Sequence, residues 1–293
     1  MRVGMIGYNE GNGHPYSFSA IINGYDPIEM KTTNYPQIAR YLSKRNKEEF
    51  GVKSLSVTHV WTPDWLITET IAKSCFIPNP VKDYQEMIGF VDSVIVARDD
   101  ARIRNYIVVD FIKHGIPVFV DKPLCLTFGE LNFFKKFINS NLIYTASATR
   151  FHFPLNDKNW LRYVRENTDK TISFYPVNWE KYGIHILEHL VHIFGANLSI
   201  NQVTPYRGEN MNQFLFENGI ESIIMKSDIN ELRTKFYKGD RIIFDLVIDD
   251  NFGMFKEMLL DFHNFLITGL KSFNNRETQA ILEGVIQGLG NGK

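Results

Sequence analysis

Three stretches of the sequence contain residue types that bind ligands or transfer protons, at spacings that bring them together. A lysine follows a short apolar run in Asp121-Lys122-Pro123, a glycine-rich turn covers Gly7–Gly13, and His185, His189 and His192 are spaced four and three residues apart. A lysine can polarise a substrate oxygen, the N–H groups of a glycine turn can hold a phosphate, and a histidine can transfer a proton near neutral pH.

The glycine turn reads Gly7-Tyr8-Asn9-Glu10-Gly11-Asn12-Gly13 and follows an apolar run. It departs from the G-x-G-x-x-G pattern of dinucleotide sites, because Asn9 stands where the second glycine belongs. Asparagine tolerates left-handed backbone angles, so the turn can still form. We predict that a pyrophosphate is held by the turn and by the helix start that follows it; the alternative is an ordinary glycine-rich loop. The predicted contacts are Gly7, Asn9, Gly11, Gly13 and His14.

Further cofactor contacts are predicted at the ends of the later strands. An acid at the end of the second strand binds the adenosine ribose in such folds, and Asp64, close behind Thr62, is the candidate. Capping of a turn by Asp64 is an equal alternative. No arginine adjoins this loop for a 2′-phosphate, which favours NAD over NADP. The remaining predicted contacts are Thr62, Ala97, Arg98, Asp121, Lys122 and Pro123.

The histidines lie on one face of a predicted helix that begins near Tyr182, and Glu188 lies beside them. The string from His185 to His189 also matches the H-x-x-E-H pattern of inverted zinc peptidases. A zinc site needs a further ligand from another element, and a nucleotide fold argues against a peptidase, so we predict no metal. Buried structural histidines are the remaining alternative for His185, His189 and His192.

The elements that position these residues alternate in the first part of the chain. We predict strands over 2–7, 56–62, 91–97 and 116–120, with helices over 14–23, 65–75 and 104–113 between them. This order predicts a doubly wound parallel sheet, whose ligands bind at the carboxyl ends of the strands. Residues 24–55 exceed a plain strand–helix–strand unit, and we expect either a solvated surface insertion or a lid or subunit contact.

The pattern changes after Leu124. A helix is predicted over 127–139 and closing helices over 255–270 and 276–289. Strands are predicted over 144–151, 171–177, 199–206, 219–226, 232–237 and 241–248. Few helices separate these strands, which predicts an open-faced mixed sheet. We therefore predict an α/β Rossmann domain over 1–124 and an α+β domain for substrate binding and oligomerisation over 125–293.

Composition excludes several classes of partner. With 32 basic and 33 acidic residues the formal charge is −1, so we expect neither nucleic acid nor an anionic membrane as a partner. No separate charged and apolar zones mark a signal peptide at the start of the chain. The two cysteines, Cys75 and Cys125, are far apart in sequence and predict no disulfide framework. We expect a cytoplasmic protein.

Taken together, the motifs resemble the Gfo/Idh/MocA oxidoreductase family. The segments that carry the resemblance are Val3–Gly7, Val118–Leu124, Ala148–Phe151 and Gly183–Glu188. The resemblance implies a Rossmann domain, NAD or NADP, a sugar or cyclitol substrate and a hydride step. It implies that Lys122 binds and polarises the reacting hydroxyl and that His185 is the general acid or base.

The resemblance also implies substrate contacts from Arg150, Tyr182, Glu188 and His189. One departure concerns catalysis: four residues before His185 the family commonly has Asp, and this chain has Lys181. We expect Glu180 or Glu188 to replace that carboxylate, or the substrate to be handled differently, or redox activity to be lost.

Three hypotheses follow. The first is an NAD(P)-dependent dehydrogenase of a sugar or sugar derivative, with cell-surface glycan biosynthesis as the suggested context. The second is a catalytically impaired family member that binds cofactor or sugar as a sensor or partner protein. The third is the metal hydrolase. An open sheet face exposes apolar surface when it is bare, so we also predict a homodimer or homotetramer through the C-terminal sheet.

Overall fold

The computed structural model describes residues 1–290, without the side chains of residues 101–103. Two compact units make up the chain: one contains residues 1–121, 137–145 and 255–272, and the other contains residues 122–136, 146–254 and the remainder from 273. The first unit thus includes two segments beyond the predicted domain boundary at 124, and that boundary stays a prediction. Residues 291–293 of the predicted second domain lie outside the described residues.

The first unit contains a six-stranded parallel sheet in the order β3-β2-β1-β4-β5-β6. Its strands are β1 (Arg2–Ile6), β2 (Ser56–Trp61), β3 (Asn79–Pro80), β4 (Ser93–Val96), β5 (Val118–Val120) and β6 (Ile143–Tyr144). The order reverses beside β1, which is the topological switch point where doubly wound sheets bind dinucleotides. The predicted Rossmann fold is confirmed.

Helices connect these strands. They are α1 (His14–Asn23), α2 (Pro27–Lys31), α3 (Pro36–Leu42), α4 (Trp65–Ser74) and α5 (Ala101–Lys113). Helices α2 and α3, together with a 3-10 turn over Lys47–Glu49, fill the segment 24–55. Asp26 begins α2 by accepting hydrogen bonds from the N–H groups of Ile28 and Glu29, so part of this segment is regular helix.

The chain returns to the first unit near its end. Helix α6 (Phe128–Asn139) and helix α9 (Asn251–Thr268) each contribute residues to both units. In the first unit the Phe262 ring of α9 lies 5.3 Å from the rings of both Phe119 and Tyr144. These aromatic contacts bury β5 and β6 under α9, a packing that the order of elements in the sequence did not predict.

The second unit contains a six-stranded mixed sheet in the order β12-β11-β7-β10-β9-β8. Its strands are β7 (Lys170–Tyr175), β8 (Leu198–Tyr206), β9 (Glu209–Phe216), β10 (Glu221–Lys226), β11 (Leu232–Lys238) and β12 (Arg241–Ile248), and its own helices are α7 (Lys158–Asn167), α8 (Trp179–Phe194) and α10 (Asn275–Gly288). Only the β7–β10 pair of this sheet is parallel. The predicted mixed sheet is confirmed.

Three details of the predicted elements were wrong. The strand expected over 144–151 is only β6 followed by a 3-10 turn over Ala148–Phe151, because Ser147 caps that turn by accepting from the Thr149 N–H. Strand β9 was missed, since its polar start, Glu-Asn-Met-Asn, hides the alternation of a half-buried strand. Helix α7 was also missed, although Asp157 caps it. Within residues 1–290, no helix has the length and apolar character needed to cross a bilayer.

Candidate active site

The glycine turn follows β1 and is constrained by close packing. A Cβ added to Gly7 would lie 2.4 Å from the Pro15 ring, and one added to Gly13 would lie 2.7 Å from the Tyr35 and Ile38 side chains. Gly11 has a φ of +83° with no atom within 4 Å of an added Cβ. Gly7 and Gly13 are therefore required by contact, whereas Gly11 is required by its left-handed backbone and lies in open space.

Asn12 and His14 tie the turn to the end of β5. The Asn12 side chain accepts from the His14 N–H at 2.9 Å and donates to Asp121 Oδ2 at 3.1 Å. The His14 Nδ1 lies 2.7 Å from the same carboxylate oxygen. Asp121 is buried, so the first residue of Asp121-Lys122-Pro123 holds the start of α1 in place.

Arg98 fastens the other side of the turn. Its guanidinium donates to the carbonyl oxygens of Gly7 at 3.3 Å and Tyr8 at 2.9 Å, and it pairs with Asp100. Asn9 bonds to Asp99, and Ala97, fully buried, donates its N–H to Ile6 O at 2.7 Å. Arg98 and Ala97 therefore support the turn from within the unit.

These residues fit a dinucleotide in backbone shape. The sheet order, the Cβ-free cradle at Gly7 and Gly13 and the helix start at His14 match a pyrophosphate site. Two features reduce the fit: Asn12 already accepts from the His14 N–H, and the carboxylates of Asp99 and Asp100 lie beside the turn. The open tip at Gly11 remains available for phosphate oxygens.

The loop after β2 carries the predicted ribose contacts. Asp64 is the N-cap of α4 and accepts from the N–H groups of Leu66 and Ile67, so the capping alternative describes its geometry. Thr62 donates from Oγ1 to the Asp64 carbonyl at 2.6 Å. Lys82 places its ammonium 5.8 Å from the centre of the Trp65 ring. A cation therefore does lie beside this loop, which weakens the sequence argument for NAD over NADP.

The helix that carries the histidines is α8, and its position depends on Trp179. The Trp179 Nε1 donates to the Val285 carbonyl of α10 at 2.9 Å. A Cβ on Gly183 would lie 2.6 Å from the Trp179 ring, and one on Gly288 would lie 2.4 Å from it. Gly183, two residues before His185, is thus required because the Trp179 ring packs directly against the α8 backbone at this position.

His185 is held through its Nδ1 atom. Ser147 Oγ lies 2.6 Å from this nitrogen and 3.1 Å from Thr149 Oγ1, and Thr149 Oγ1 donates to the His185 carbonyl at 2.7 Å. The ring of Tyr182 meets the His185 ring edge to face, with centroids 5.4 Å apart. The histidine is therefore oriented by hydroxyl groups and an aromatic ring.

Arg150 and Glu188 form a buried ion pair. Arg150 Nε lies 2.5 Å from Glu188 Oε1, Arg150 Nη1 lies 3.0 Å from Glu277 Oε2, and the Ser147 N–H donates to Glu188 Oε2 at 3.0 Å. Burial raises the pKa of Glu188, opposed by Arg150 and by the Ser147 N–H. The Arg150 guanidinium also stacks on Phe273, while its Nη2 is buried with no hydrogen-bond partner among the described residues. This geometry supports a structural role more directly than substrate contact for both residues.

His189 and His192 are buried within the second unit. His189 bonds through Nδ1 to the His185 carbonyl at 3.0 Å and through Nε2 to Thr234 Oγ1 at 2.8 Å. Burial lowers the pKa of His189 to about 3, so the ring is neutral near pH 7. The His192 Nε2 lies 3.1 Å from the Leu155 carbonyl, and burial lowers its pKa as well. This geometry supports a structural role for His189 rather than contact with a substrate.

Residues 1–290 bring no three metal-ligating side chains together. In the H-x-x-E-H string, Glu188 binds Arg150 and Ser147, and His189 binds Thr234. Glu188 and His189 of this string therefore form hydrogen bonds with other residues of the second unit.

Lys122 belongs to the second unit, as does His185, and its side chain is 9% exposed. The Lys122–Pro123 peptide bond is cis. The pairing of Lys122 with His185 stays a prediction. Lys122 follows the end of β5 at Val120 by two residues, and its role in ligand binding also stays a prediction.

Lys181 stands in the first turn of α8, where its N–H donates to Asn178 Oδ1 at 2.9 Å. Of the two carboxylates expected to replace the missing Asp, Glu180 is exposed and Glu188 is held by Arg150. The Ser147 hydroxyl, by contrast, lies within hydrogen-bonding distance of the His185 ring. Ser147 was not among the predicted site residues; its signal was a hydroxyl residue three positions before Arg150, in a segment that we expected to be strand.

Comparisons with known proteins match part of the chain to a family model. A model of the Gfo/Idh/MocA oxidoreductase family, with an NAD-binding Rossmann fold, matches residues 33–141. Over these residues the match agrees with the family resemblance of the sequence motifs. A search of curated proteins found no matching sequence.

Solved structures match over nearly the whole chain. A UDP-N-acetylglucosamine 3-dehydrogenase from Acidithiobacillus ferrooxidans is 12% identical, with a TM-score of 0.70 over 98% of this chain and 96% of that one. A myo-inositol 2-dehydrogenase from Lactobacillus plantarum is 13% identical, with a TM-score of 0.69 over 99% and 97%. A 3-ketoreductase from Actinomadura kijaniata, in complex with NADP and TDP-benzene, is 11% identical, with a TM-score of 0.70 over 100% and 97%. At these identities the likeness concerns the fold.

Proposed function

We propose that this chain is a member of the Gfo/Idh/MocA oxidoreductase family and an NAD(P)-dependent dehydrogenase of a sugar or sugar derivative. The observation that carries the proposal is the hydrogen-bonded His185 on a helix of the second unit, in a chain whose other unit has a dinucleotide-binding sheet. The names of the similar structures, an inositol dehydrogenase, a nucleotide-sugar dehydrogenase and a ketoreductase, support a polyhydroxylated substrate.

The cofactor would lie on the glycine turn. Gly7, Gly11 and Gly13 provide the backbone for its pyrophosphate, and Asp64 adjoins the loop proposed for its adenosine end. When bound, the nicotinamide supplies the hydride acceptor or donor. We leave NAD and NADP as equal candidates, because Asp64 caps α4 and Lys82 adds a cation near Trp65.

The remaining chemistry belongs to this chain's own side chains. The Lys122 ammonium would donate a hydrogen bond to the reacting substrate oxygen and stabilise negative charge that develops there. The His185 imidazole would take the hydroxyl proton in the oxidative direction and return it in the reverse direction. Tyr182, whose ring meets that of His185, would contact the sugar.

Hydride transfer with a panel of substrates tests the proposal. Purified protein is mixed with NAD⁺ or NADP⁺ and with myo-inositol, simple sugars or UDP-linked amino sugars, and absorbance of the reduced cofactor is followed. We expect turnover with at least one substrate, reduced on the order of a hundredfold or more in Lys122→Met and His185→Gln. Arg207→Met, on an exposed surface pair, serves as the control. Turnover that both active-site variants retain would overturn the assignment.

The competing function is that of an impaired member that binds cofactor or sugar without turnover. It is favoured by Lys181 in place of the family carboxylate and by the acidic residues Asp99 and Asp100 at the glycine turn. Cofactor binding without hydride transfer to any of the tested substrates would support it. Oligomerisation through the exposed face of the second sheet is also proposed, and light scattering that shows a monomer would contradict it.

A further inference from the structure

A ring of three hydrogen-bonding groups joins His185 to Ser147 and Thr149. Ser147 Oγ lies 2.6 Å from His185 Nδ1 and 3.1 Å from Thr149 Oγ1, and Thr149 Oγ1 lies 2.7 Å from the His185 carbonyl oxygen. We propose that Ser147 and Thr149 fix the tautomer of His185, placing its proton on Nδ1 and its lone pair on Nε2. This inference rests on the proposed role of His185 and deepens it.

The direction of each hydrogen bond follows from counting hydrogens. A carbonyl oxygen only accepts, so the contact with the His185 carbonyl uses the single hydroxyl hydrogen of Thr149. The contact between Thr149 and Ser147 then requires the Ser147 hydrogen. Ser147 therefore has no hydrogen left for His185, and Nδ1 must be the donor across the 2.6 Å contact.

The opposite tautomer makes fewer hydrogen bonds among His185, Ser147 and Thr149. If Ser147 donated to Nδ1, the two hydroxyl oxygens 3.1 Å apart would have no hydrogen between them, unless Thr149 abandoned the His185 carbonyl. Either choice loses one hydrogen bond from a buried cluster, where an unmade bond is costly. The Nδ1–H form satisfies every hydroxyl and leaves Nε2 as the basic nitrogen.

The serine is held firmly enough to impose this choice. Its backbone N–H donates to Glu188 Oε2 at 3.0 Å, and Glu188 is in turn paired with Arg150. The Thr149 N–H donates to Ser147 Oγ at 3.3 Å. Both hydroxyl residues are buried. Glu188 thus influences His185 indirectly, because it positions Ser147, whose hydroxyl contacts the His185 ring.

A second chain of hydrogen bonds involves the main-chain carbonyl of His185 and not its ring. His189 Nδ1 lies 3.0 Å from the His185 carbonyl, so this nitrogen carries the proton, and His189 Nε2 accepts from Thr234 Oγ1 at 2.8 Å. Thr234 therefore belongs to the same network but influences only the main chain of His185. This makes Thr234→Val a matched control for loss of a buried hydroxyl.

Nitrogen-15 spectra of the histidine rings test the inference without any substrate or cofactor. The His185 signals are assigned by their loss in His185→Gln. We expect the Nδ1–H signature in the wild type, in Ser147→Thr and in Thr234→Val. In Thr149→Val the Ser147 hydrogen has lost its acceptor and turns to Nδ1, so we expect the Nε2–H signature. Ser147→Ala should give a mixture of both forms.

Two results would overturn the inference: an Nε2–H signature in the wild type, or an unchanged tautomer in both Ser147→Ala and Thr149→Val. Unfolding curves show whether each variant is folded, and a variant that fails to fold leaves the wild-type spectrum and the other variant to decide. Where turnover is measurable, Ser147→Ala should lower kcat on the order of tenfold or more with little change in KM. A correct tautomer in a protein without turnover would sustain this inference while the proposed function fails.

Discussion

The Asp121 carboxylate lies 2.7 Å from His14 Nδ1 and accepts from the Asn12 side chain through the same oxygen. Asp121 directly follows β5, and His14 begins α1, so two elements more than a hundred residues apart in sequence meet at this oxygen. The carboxylate therefore organises the glycine turn directly. This gives a physical reason for an acidic residue before Lys122.

The first prediction concerns this carboxylate. Asp121→Ala leaves Asn12 and His14 without a shared acceptor in a buried place, so we expect a loss of about 1–3 kcal/mol in the free energy of unfolding. Asp121→Asn keeps one oxygen and should lose less. Urea unfolding measures both. Equal stability of wild type and Asp121→Ala would show that the contact contributes nothing.

The second prediction separates two glycines of the turn. A Cβ in Gly7→Ala would collide with the Pro15 ring at 2.4 Å, whereas Gly11→Ala meets no atom and bears only the left-handed φ of +83°. The left-handed backbone costs about 1–2 kcal/mol. We expect Gly7→Ala to unfold at a lower urea concentration than Gly11→Ala. The reverse order would contradict the observed packing of the turn.

The buried ion pair of the second unit supplies the third prediction. Arg150→Met leaves Glu188 charged and buried, and we expect destabilisation of about 3–5 kcal/mol. The double variant Arg150→Met, Glu188→Gln should recover part of this loss, because the unpaired charge is gone. A double-mutant cycle from chemical unfolding measures the recovery. Arg207→Met, from an exposed pair with Asp228, should change stability little. Additive losses at Arg150 and Glu188 would mean that the two side chains do not interact.

The fourth prediction is a pH dependence. Burial lowers the pKa of His189 to about 3, against an ordinary value near 6.5. Between these values the unfolded chain binds a proton that the folded protein does not, so stability falls as the pH decreases below 6.5. One such group contributes up to about 1.4 kcal/mol per pH unit across this window. His192 shifts in the same direction.

Urea unfolding at several pH values from 7 down to about 4 tests this dependence. His189→Gln removes the titrating ring and should flatten the slope, even where it lowers the overall stability. A wild-type slope that persists unchanged in His189→Gln would assign the dependence to other groups.

Local pattern predicted the first sheet well. The apolar runs that end at Ile6 and Val120 are followed by glycine or by Asp-Lys-Pro, and such boundaries depend only on neighbouring residues. Strand β9 and the return of α9 to the first unit were not predictable in this way. They depend on packing partners distant in the chain, such as Phe262 against Phe119.

The same difference between local sequence features and long-range contacts applies to the candidate site. His185 could be selected from its own helix, because histidine spacing and Gly183 are local features. Ser147 could not, since its contact with His185 spans 38 positions and depends on how the segment before Arg150 turns. The buried roles of Arg150, Glu188 and His189 likewise follow from partners that the sequence alone does not reveal.

Cofactor binding measured by titration calorimetry tests the central claim most directly. NAD⁺, NADH, NADP⁺ and NADPH are titrated separately into the purified protein, with Gly7→Ala as a folded comparison whose turn is displaced. We predict saturable binding of at least one dinucleotide to the wild type and weaker binding to Gly7→Ala. Absence of binding for all four dinucleotides, in protein shown to be folded, would contradict the assignment as an NAD(P)-dependent oxidoreductase.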